Sequence, residues 1–99
     1  MATYEGKRTI DGLVVTADGE PLDEHYGVSQ FTKWGFEWSY EGESPQQLAL
    51  AILVDHLGDD ARALGLSASF MKAVVANFDN DWVLTGAEID AALERLERG

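Results

Sequence analysis

Residues 44–58, SPQQLALAILVDHLG, predict the central helix of the domain, because they contain both ends of a helix and a nearly continuous apolar surface between them. Ser44 at the N-cap, Pro45 at the first helical position and Gln47 closing a capping box predict the start. Gly58 is the residue type that commonly follows the last turn of a helix. Apolar side chains cover nearly the whole circumference, so we expect this helix to be buried on most sides with the sheet packed on it.

A β-hairpin is predicted upstream, where Asp11-Gly separates two β-prone runs within residues 4–17. A two-residue turn of this kind needs positive φ at both central positions, which Asp and Gly adopt readily. Asp18-Gly repeats the signal, so a short third strand or an irregular edge follows. Pro21 favours the edge, because it cannot donate a hydrogen bond to a strand ladder. Residues 23–33 show no clear period and are predicted to form a loop.

The next segment, residues 34–41, alternates between aromatic side chains and small or acidic ones. The aromatic residues are Trp34, Phe36, Trp38 and Tyr40. This period of two predicts a strand with one wholly aromatic face. Exposed aromatic stripes can bind single-stranded nucleic acid or sugar, but Glu37 and Glu41 on the same strand would repel phosphate. We therefore expect the four aromatic side chains to face the core.

Two helices are predicted directly after the apolar one. Asp59 and Asp60 can cap a short helix over residues 61–64, and Ser67 is expected to cap a longer helix with an apolar stripe. That stripe consists of Phe70, Met71, Val74, Val75 and Phe78. A turn over residues 77–81 is expected to end this part of the chain.

The last segment completes an α+β domain. Residues 82–84 are predicted to be a short extended piece that can add to the sheet, and Thr85 with Glu88 forms a second capping box before a C-terminal helix. The sequence therefore predicts a small, mostly antiparallel sheet, made of the hairpin plus the aromatic strand, packed on one face by about three helices. We expect one globular domain over residues 1–99.

The composition is acidic, with 18 acidic against 7 basic residues and a net charge of -11 in 99 residues. Such a surface repels nucleic acid and anionic lipid and attracts basic proteins. The absence of Cys excludes disulfides and thiol catalysis and suits an intracellular protein. The N-terminus lacks the apolar core of a signal peptide, and the longest apolar run, residues 48–54, is far shorter than a bilayer span. We therefore expect a cytoplasmic protein with no membrane contact.

The candidate partner surface consists of acids that no nearby base neutralises in the sequence. They are Glu37, Glu41, Glu43, Asp59, Asp60, Asp79 and Asp81. We expect them to bind a basic protein or a nucleoprotein complex rather than nucleic acid itself. A homodimer is a further possibility that the sequence does not decide. The alternative is that the acidity only keeps the domain soluble or adapts it to high salt. Composition does not distinguish this alternative from a binding role, because both predict the same excess of acids.

No catalytic constellation stands out. His25 and His56 are the two imidazoles, and His56 with Asp59 or Asp60 has a spacing that could hold a divalent metal, although a solvated helix end explains it better. Ser69-x-x-Lys resembles a serine acylase motif but lacks the partner motifs of that chemistry. Nucleotide-binding and nucleophile-elbow patterns are absent. We expect a protein that is not an enzyme and has neither cofactor nor metal.

Several short motifs connect the chain to a known family. They are Tyr4, Gly6 and Arg8 in Y-x-G-x-R, Phe36, Trp38, Tyr40 and Gly42 in F-x-W-x-Y-x-G, Pro45, Gln47, Leu48, Ala49, Leu50 and Ala51 at the start of the apolar helix, and Trp82, Leu84 and Thr85 in W-x-L-T. With these motifs the chain resembles a family of short uncharacterised bacterial, plasmid and phage proteins, a domain of unknown function. The resemblance spans nearly the full length, and Ser39 departs from it where the pattern has Gly.

The resemblance implies a biological context rather than a reaction. Small acidic single-domain proteins on mobile elements resemble, as a class, inhibitors of host defence such as anti-CRISPR proteins, which occlude or mimic nucleic acid. The function expected from it is a non-enzymatic protein-binding inhibitor of a nucleic-acid-handling complex. The alternative is a housekeeping accessory or structural domain.

Overall fold

Four strands and three helices lie along residues 2–98, which are the residues that this computed structural model describes. The strands are β1 (Thr3–Thr9), β2 (Gly12–Ala17), β3 (Glu20–Pro21) and β4 (Trp82–Thr85), and the helices are α1 (Glu43–Leu57), α2 (Asp60–Ala73) and α3 (Gly86–Arg98). A 3-10 turn at Val75–Asn77 follows α2. The strands form one antiparallel sheet in the order β3-β2-β1-β4. The predicted α+β class is confirmed.

The first hairpin forms with its turn one residue earlier than predicted. Thr9 pairs with Gly12, so Ile10 and Asp11 make the turn. The hydroxyl of Thr9 accepts the N–H of Asp11 at 3.2 Å and donates to the carbonyl of Gly12 at 2.7 Å. Gly12 has a φ of 123°, a value that other residues rarely adopt. These local bonds favour the observed register.

The second turn and the sheet edge are as predicted. Asp18 and Gly19 have positive φ values of 51° and 84°, as a tight turn between paired strands requires. β3 is two residues long and pairs with β2 alone, which places Pro21 at the edge of the sheet. The missing N–H of a proline is tolerated at such an edge.

The sheet buries one face. The inward residues of its three longer strands include Tyr4, Gly6, Val15, Trp82 and Leu84, which are buried, whereas the opposite face carries Glu5, Lys7, Val14 and Val83, which are exposed. α1 lies on the inward face, and its residues 48–53 have no solvent exposure. The expectation that helices cover one face and that α1 forms the core is confirmed.

The end of α1 is as predicted, but its start differs. Gly58 follows the helix in a left-handed conformation with a φ of 66°. At the other end, Gly42 is the N-cap and no side chain caps the helix. The hydroxyl of Ser44 lies 2.9 Å from that of Thr32, and Gln47 bonds a distant loop. Both side chains therefore serve tertiary contacts instead of the predicted capping box.

One continuous helix, α2, replaces the two predicted after α1. Asp59 caps it, since its carboxylate accepts the N–H of Arg62 at 3.0 Å. Ser67, predicted to begin a new helix, is buried inside α2 and donates to the carbonyl of Leu64 at 2.8 Å. This bond to the preceding turn lets serine remain within a helix.

No helix in the described part of the chain is long and apolar enough to cross a bilayer.

The predicted aromatic strand is wrong. Residues 34–41 form an irregular segment, and the second neighbour of β1 is β4. Gly35 and Ser39 have φ values of 82° and 77°, and these left-handed conformations destroy the alternation of faces. Trp38 is fully buried, Phe36 is half-buried, and Trp34 and Tyr40 are 81% and 50% exposed. The four aromatic side chains therefore do not share a core face.

A cluster of aromatic rings joins the sheet to the irregular segment. Trp82 stacks on Phe78 with centroids 4.2 Å apart and meets the edge of Trp38 at 5.8 Å. Gly6 lies directly under the indole of Trp82, where any Cβ would overlap the ring. The indole N–H of Trp38 donates to the carbonyl of Asn80 at 3.1 Å. This cluster holds β4 beside β1. The prediction that residues 82–84 are extended and add to the sheet is confirmed.

Candidate interaction surface

The seven predicted acids lie in two groups at opposite ends of α1. The first group, here called the helix-start acids, is Glu37, Glu41, Glu43, Asp79 and Asp81. Their loops meet where Ser39 donates its N–H to the carbonyl of Val75 at 3.2 Å and its hydroxyl to that of Phe78 at 2.5 Å. Asp59 and Asp60 follow the other end of α1, a 15-residue helix that spans roughly 21 Å. The structure therefore does not bring all seven together.

Three of these acids already have partners within the chain. Glu37 pairs with the guanidinium of Arg8 at 2.6 Å and accepts the N–H of Trp38 at 2.9 Å. Asp59 caps α2, and Asp81 accepts the backbone N–H of Arg8 at 3.2 Å. The side chains that make no hydrogen bond or ion pair within residues 2–98 are those of Glu41, Glu43, Asp60 and Asp79. These remain the acids best placed to meet a partner.

The pKa of Glu37 reflects this pairing. Burial disfavours the charged carboxylate and by itself raises the pKa. The hydrogen bonds from Arg8 and from the backbone of Trp38, together with the charge of Arg8, outweigh burial and hold the pKa of Glu37 below its usual value. Glu37 is therefore a charged structural partner of the hairpin rather than a free acidic group.

An open depression lies beside the helix-start acids, and we call its lining the Trp34 surface. It measures about 360 Å³ and is lined by Gln30, Phe31, Thr32, Lys33, Trp34 and Glu43. The indole of Trp34 is 81% exposed, and the ammonium of Lys33 lies 5.8 Å from its ring centroid. Sequence reasoning missed this surface because it assigned Trp34 to the core. The available signal was Gly35, directly after Trp34, because glycine is depleted in strands.

The side chain of Gln47 holds the loop that carries the Trp34 surface. Gln47 is fully buried, and its amide donates to the carbonyls of Glu24 at 2.7 Å and Ser29 at 3.0 Å. Its oxygen accepts the N–H of Phe31 at 2.8 Å. The N–H of Trp34 in turn donates to the hydroxyl of Thr32 at 3.1 Å. Trp34 is thus an exposed side chain on a backbone with fixed hydrogen bonds.

The histidine proposed as a possible metal ligand is engaged elsewhere. His56 lies 2.7 Å from Asp90 and connects α1 to α3, and its side chain is 8% exposed. The expectation of a solvated turn at this position is wrong, because α3 packs over it. Across residues 2–98 there is no group of three or more His, Asp or Glu side chains that could hold a metal ion.

Tyr4 links the centre of the sheet to α1. The residue is fully buried, and its hydroxyl donates to a carboxylate oxygen of Asp55 at 2.5 Å. Burial raises the pKa of the Tyr4 phenol, and the hydrogen bond to Asp55 raises it further. Tyr4 therefore stays protonated in the folded protein at pH values where an exposed tyrosine ionises.

This shift predicts a loss of stability at alkaline pH. In the unfolded chain Tyr4 ionises near pH 10, whereas the folded protein holds the proton, so the stabilisation is complete below about pH 10 and is lost as pH rises above it. The free energy of unfolding should fall by about 1.4 kcal/mol per pH unit from this residue. Urea titrations between pH 9 and about 11.5 measure the slope. Tyr4→Phe should remove it, and Tyr40→Phe, at an exposed ring, should not; an equal slope in Tyr4→Phe contradicts the assignment.

The residues of the opening motif contact the other motif segments. Gly6 accommodates Trp82, and Arg8 donates to the carbonyl of Trp38 at 3.1 Å with its guanidinium 4.7 Å from the Trp38 ring centroid. Tyr4 reaches α1 through Asp55. These motif residues therefore hold the hairpin, the irregular segment and β4 together, and they serve the fold.

Comparison with known protein families identifies a family for most of the chain. Residues 4–95 match a family described as a family of unknown function, DUF6166. No curated protein and no solved structure matches the chain.

Proposed function

The chain belongs to the DUF6166 family of unknown function, and from its own surface we propose that it is a non-enzymatic module that binds a basic protein or a nucleoprotein complex. The observation that carries the proposal is the exposed indole of Trp34 beside the helix-start acids on a loop fixed by Gln47. Tryptophan and tyrosine are enriched among the residues that supply most of the energy at protein interfaces. Trp34 and the half-exposed Tyr40 fit that role.

Two physical features support a basic partner. The net charge of -11 attracts cations over several ångströms and speeds their encounter with the protein. The hydrogen bonds that fix the loop reduce the entropy lost when a partner orders the surface. Charge would therefore steer the partner, and the preorganised aromatic side chains would hold it.

The proposal assigns no reaction to the protein. The imidazole of His56 is paired with Asp90, and the phenol of Tyr4 is paired with Asp55, so both groups act between elements of the fold. The Trp34 surface is an open depression rather than an enclosed cleft that excludes water. We propose that the protein binds its partner in the cytoplasm and uses neither a cofactor nor a metal ion.

In its finer form the proposal is an anti-CRISPR-type inhibitor of a nucleic-acid-handling defence complex. It depends on the family belonging to bacteria, plasmids and phages, as the resemblance in sequence implies. The two acidic groups stand at opposite ends of α1, which favours occlusion of a basic site over imitation of a continuous row of phosphates. A homodimer that presents two copies of the Trp34 surface is compatible with this mode.

A housekeeping accessory domain is the second candidate. It is favoured by the wide spread of the acids, which include Asp11 in the first turn and Glu20 at the sheet edge as well as both ends of α1. Acids distributed in this way keep a protein soluble without forming a binding face. The two candidates differ in whether partner binding depends on the position of the acids or only on the total charge, and this difference can be measured.

Charge reversal at the helix-start acids tests the proposal. The variant Glu41→Lys, Glu43→Lys, Asp79→Lys should fold, because exposed charges contribute about 0 to 1 kcal/mol each. It should weaken binding of a basic partner, captured from a bacterial lysate and then purified, by at least about tenfold at low salt and by less at high salt. Isothermal titration in a salt series gives both affinities.

A matched variant separates position from total charge. Asp11→Lys, Glu20→Lys, Asp60→Lys makes the same change in net charge away from the helix-start acids. Equal weakening by both variants favours the housekeeping alternative, because only total charge would then matter. Binding that survives the first variant and 0.5 M salt would mean that recognition does not use charge, and the proposal would be wrong.

A further inference from the structure

We infer that the Trp34 surface receives an arginine side chain of the basic partner, with the guanidinium stacked on the indole of Trp34 and paired with the carboxylate of Glu43. This inference rests on the proposed function and names the chemical group that the surface recognises. Both receptor groups line the same depression, and both are exposed.

The same pair of chemical groups binds an arginine elsewhere in the protein. The guanidinium of Arg8 lies 4.7 Å from the ring centroid of Trp38 and 2.6 Å from the carboxylate of Glu37. An indole and a carboxylate close together in the chain thus hold an arginine between them. Trp34 and Glu43 offer the same two groups at the surface, without an arginine from the described chain over the ring.

The cation already over Trp34 is a weaker ligand for this site. The ammonium of Lys33 lies 5.8 Å from the ring centroid, near the limit for a cation–π contact, and makes no ion pair within residues 2–98. A guanidinium is planar, stacks on an aromatic face and bonds a carboxylate with two parallel donors, whereas an ammonium is a strongly hydrated point charge. An incoming arginine should therefore displace Lys33 from the ring.

The charges around the depression agree with this occupant. Glu43 lines it, and Glu41 lies two residues away, both without an intrachain partner among the described residues. The lining itself carries one lysine and one glutamate, so the negative potential comes from Glu41, two residues from Glu43 in the sequence, and from the net charge of -11. A phosphate or carboxylate ligand would meet the carboxylate of Glu43 within a protein of net charge -11, which disfavours an anionic occupant.

Two labelled peptides of equal charge, hexa-arginine and hexa-lysine, test the inference by fluorescence anisotropy at about 50 mM salt. The wild type should bind hexa-arginine several-fold more tightly, since a cation–π contact changes affinity by roughly 2- to 30-fold. Trp34→Ala should lower the affinity for hexa-arginine within this range and remove the preference. Val83→Ala, at an exposed apolar side chain on the sheet, is the control and should change neither affinity.

Lysine variants test the displacement. Lys33→Ala and Lys72→Ala change the net charge equally, but only Lys33 lies over Trp34. Lys33→Ala should raise the affinity for hexa-arginine more than Lys72→Ala does. Equal gains in the two variants, or a Trp34→Ala variant that binds hexa-arginine like the wild type, overturn the inference.

The outcome also distinguishes the inference from the proposed function. Equal binding of both peptides that falls on charge reversal at Glu41, Glu43 and Asp79 overturns the arginine site and leaves the acidic binding module standing. Failure of both peptides to bind at low salt overturns both. An arginine preference that depends on Trp34 supports both.

Discussion

Trp38→Ala is expected to lower the free energy of unfolding by about 3 to 5 kcal/mol, the range measured for truncating a large buried aromatic side chain. The indole of Trp38 is fully buried, meets Trp82 edge to face and donates to the carbonyl of Asn80 at 3.1 Å. The guanidinium of Arg8 lies 4.7 Å from the centroid of its ring, in a cation–π contact. Truncation leaves a cavity and removes both polar contacts at once.

The control for this variant lies in the same irregular segment. Trp34→Ala removes an indole that is 81% exposed, so stability should change by no more than about 0.5 kcal/mol. Urea denaturation of both variants, followed by circular dichroism, makes the comparison. A loss below about 1 kcal/mol for Trp38→Ala would show that this ring does not hold the segment to the sheet.

Gly6→Ala is expected to be nearly as harmful, although it adds a single methyl group. A Cβ at this position would lie 2.2 Å from the indole nitrogen of Trp82 and 2.3 Å from the neighbouring ring carbon. Trp82 cannot move away easily, because Phe78 stacks on it at 4.2 Å and Trp38 meets it at 5.8 Å. Overpacking typically costs about 1 to 3 kcal/mol, and we expect a loss near the upper end because the neighbouring rings are held in place.

Two further variants make the test of Gly6 specific. Gly65→Ala changes a helical glycine of α2 with open space around it, so it should stabilise the protein by about 0.5 to 1 kcal/mol. In a Trp82→Ala background, Gly6→Ala should cost little, because the ring it strikes is gone. A full additional cost in that background would contradict the clash as the cause.

The elements that sequence predicted well depend on local signals. Gly58 ends α1, the box formed by Thr85 and Glu88 opens α3 with bonds of 3.0 and 3.2 Å, and Pro21 marks the sheet edge. Each signal acts within a few residues, so it needs no knowledge of the rest of the fold. The end of α1, the start of α3 and the presence of the hairpin followed from such signals.

Two of the failures involve contacts between distant segments. Ser44 and Gln47 fit a capping box, but both side chains bond the loop that precedes the helix. The aromatic alternation around Trp38 fits a strand, but β4 takes the place beside β1. Sequence spacing cannot show which of two segments pairs with a strand when both have suitable residues.

The candidate surface was predictable only in part. Five of the seven predicted acids lie near the start of α1, whereas Asp59 and Asp60 lie a helix length away. The sequence pattern predicts a core position for Trp34, because Trp34 and Trp38 occupy the same set of alternating positions in residues 34–41. Exposure of one and burial of the other depend on the left-handed residue between them, Gly35, whose conformation is not encoded in the period.

The amide of Gln47 has a thermodynamic consequence for whatever binds at Trp34. This single side chain belongs to the first turns of α1 and also bonds three backbone groups of the preceding loop, at Glu24, Ser29 and Phe31. Local opening of the helix start therefore releases the loop, and release of the loop leaves a buried amide unsatisfied. By linkage, a ligand that needs the ordered loop must also protect the beginning of the helix against unfolding.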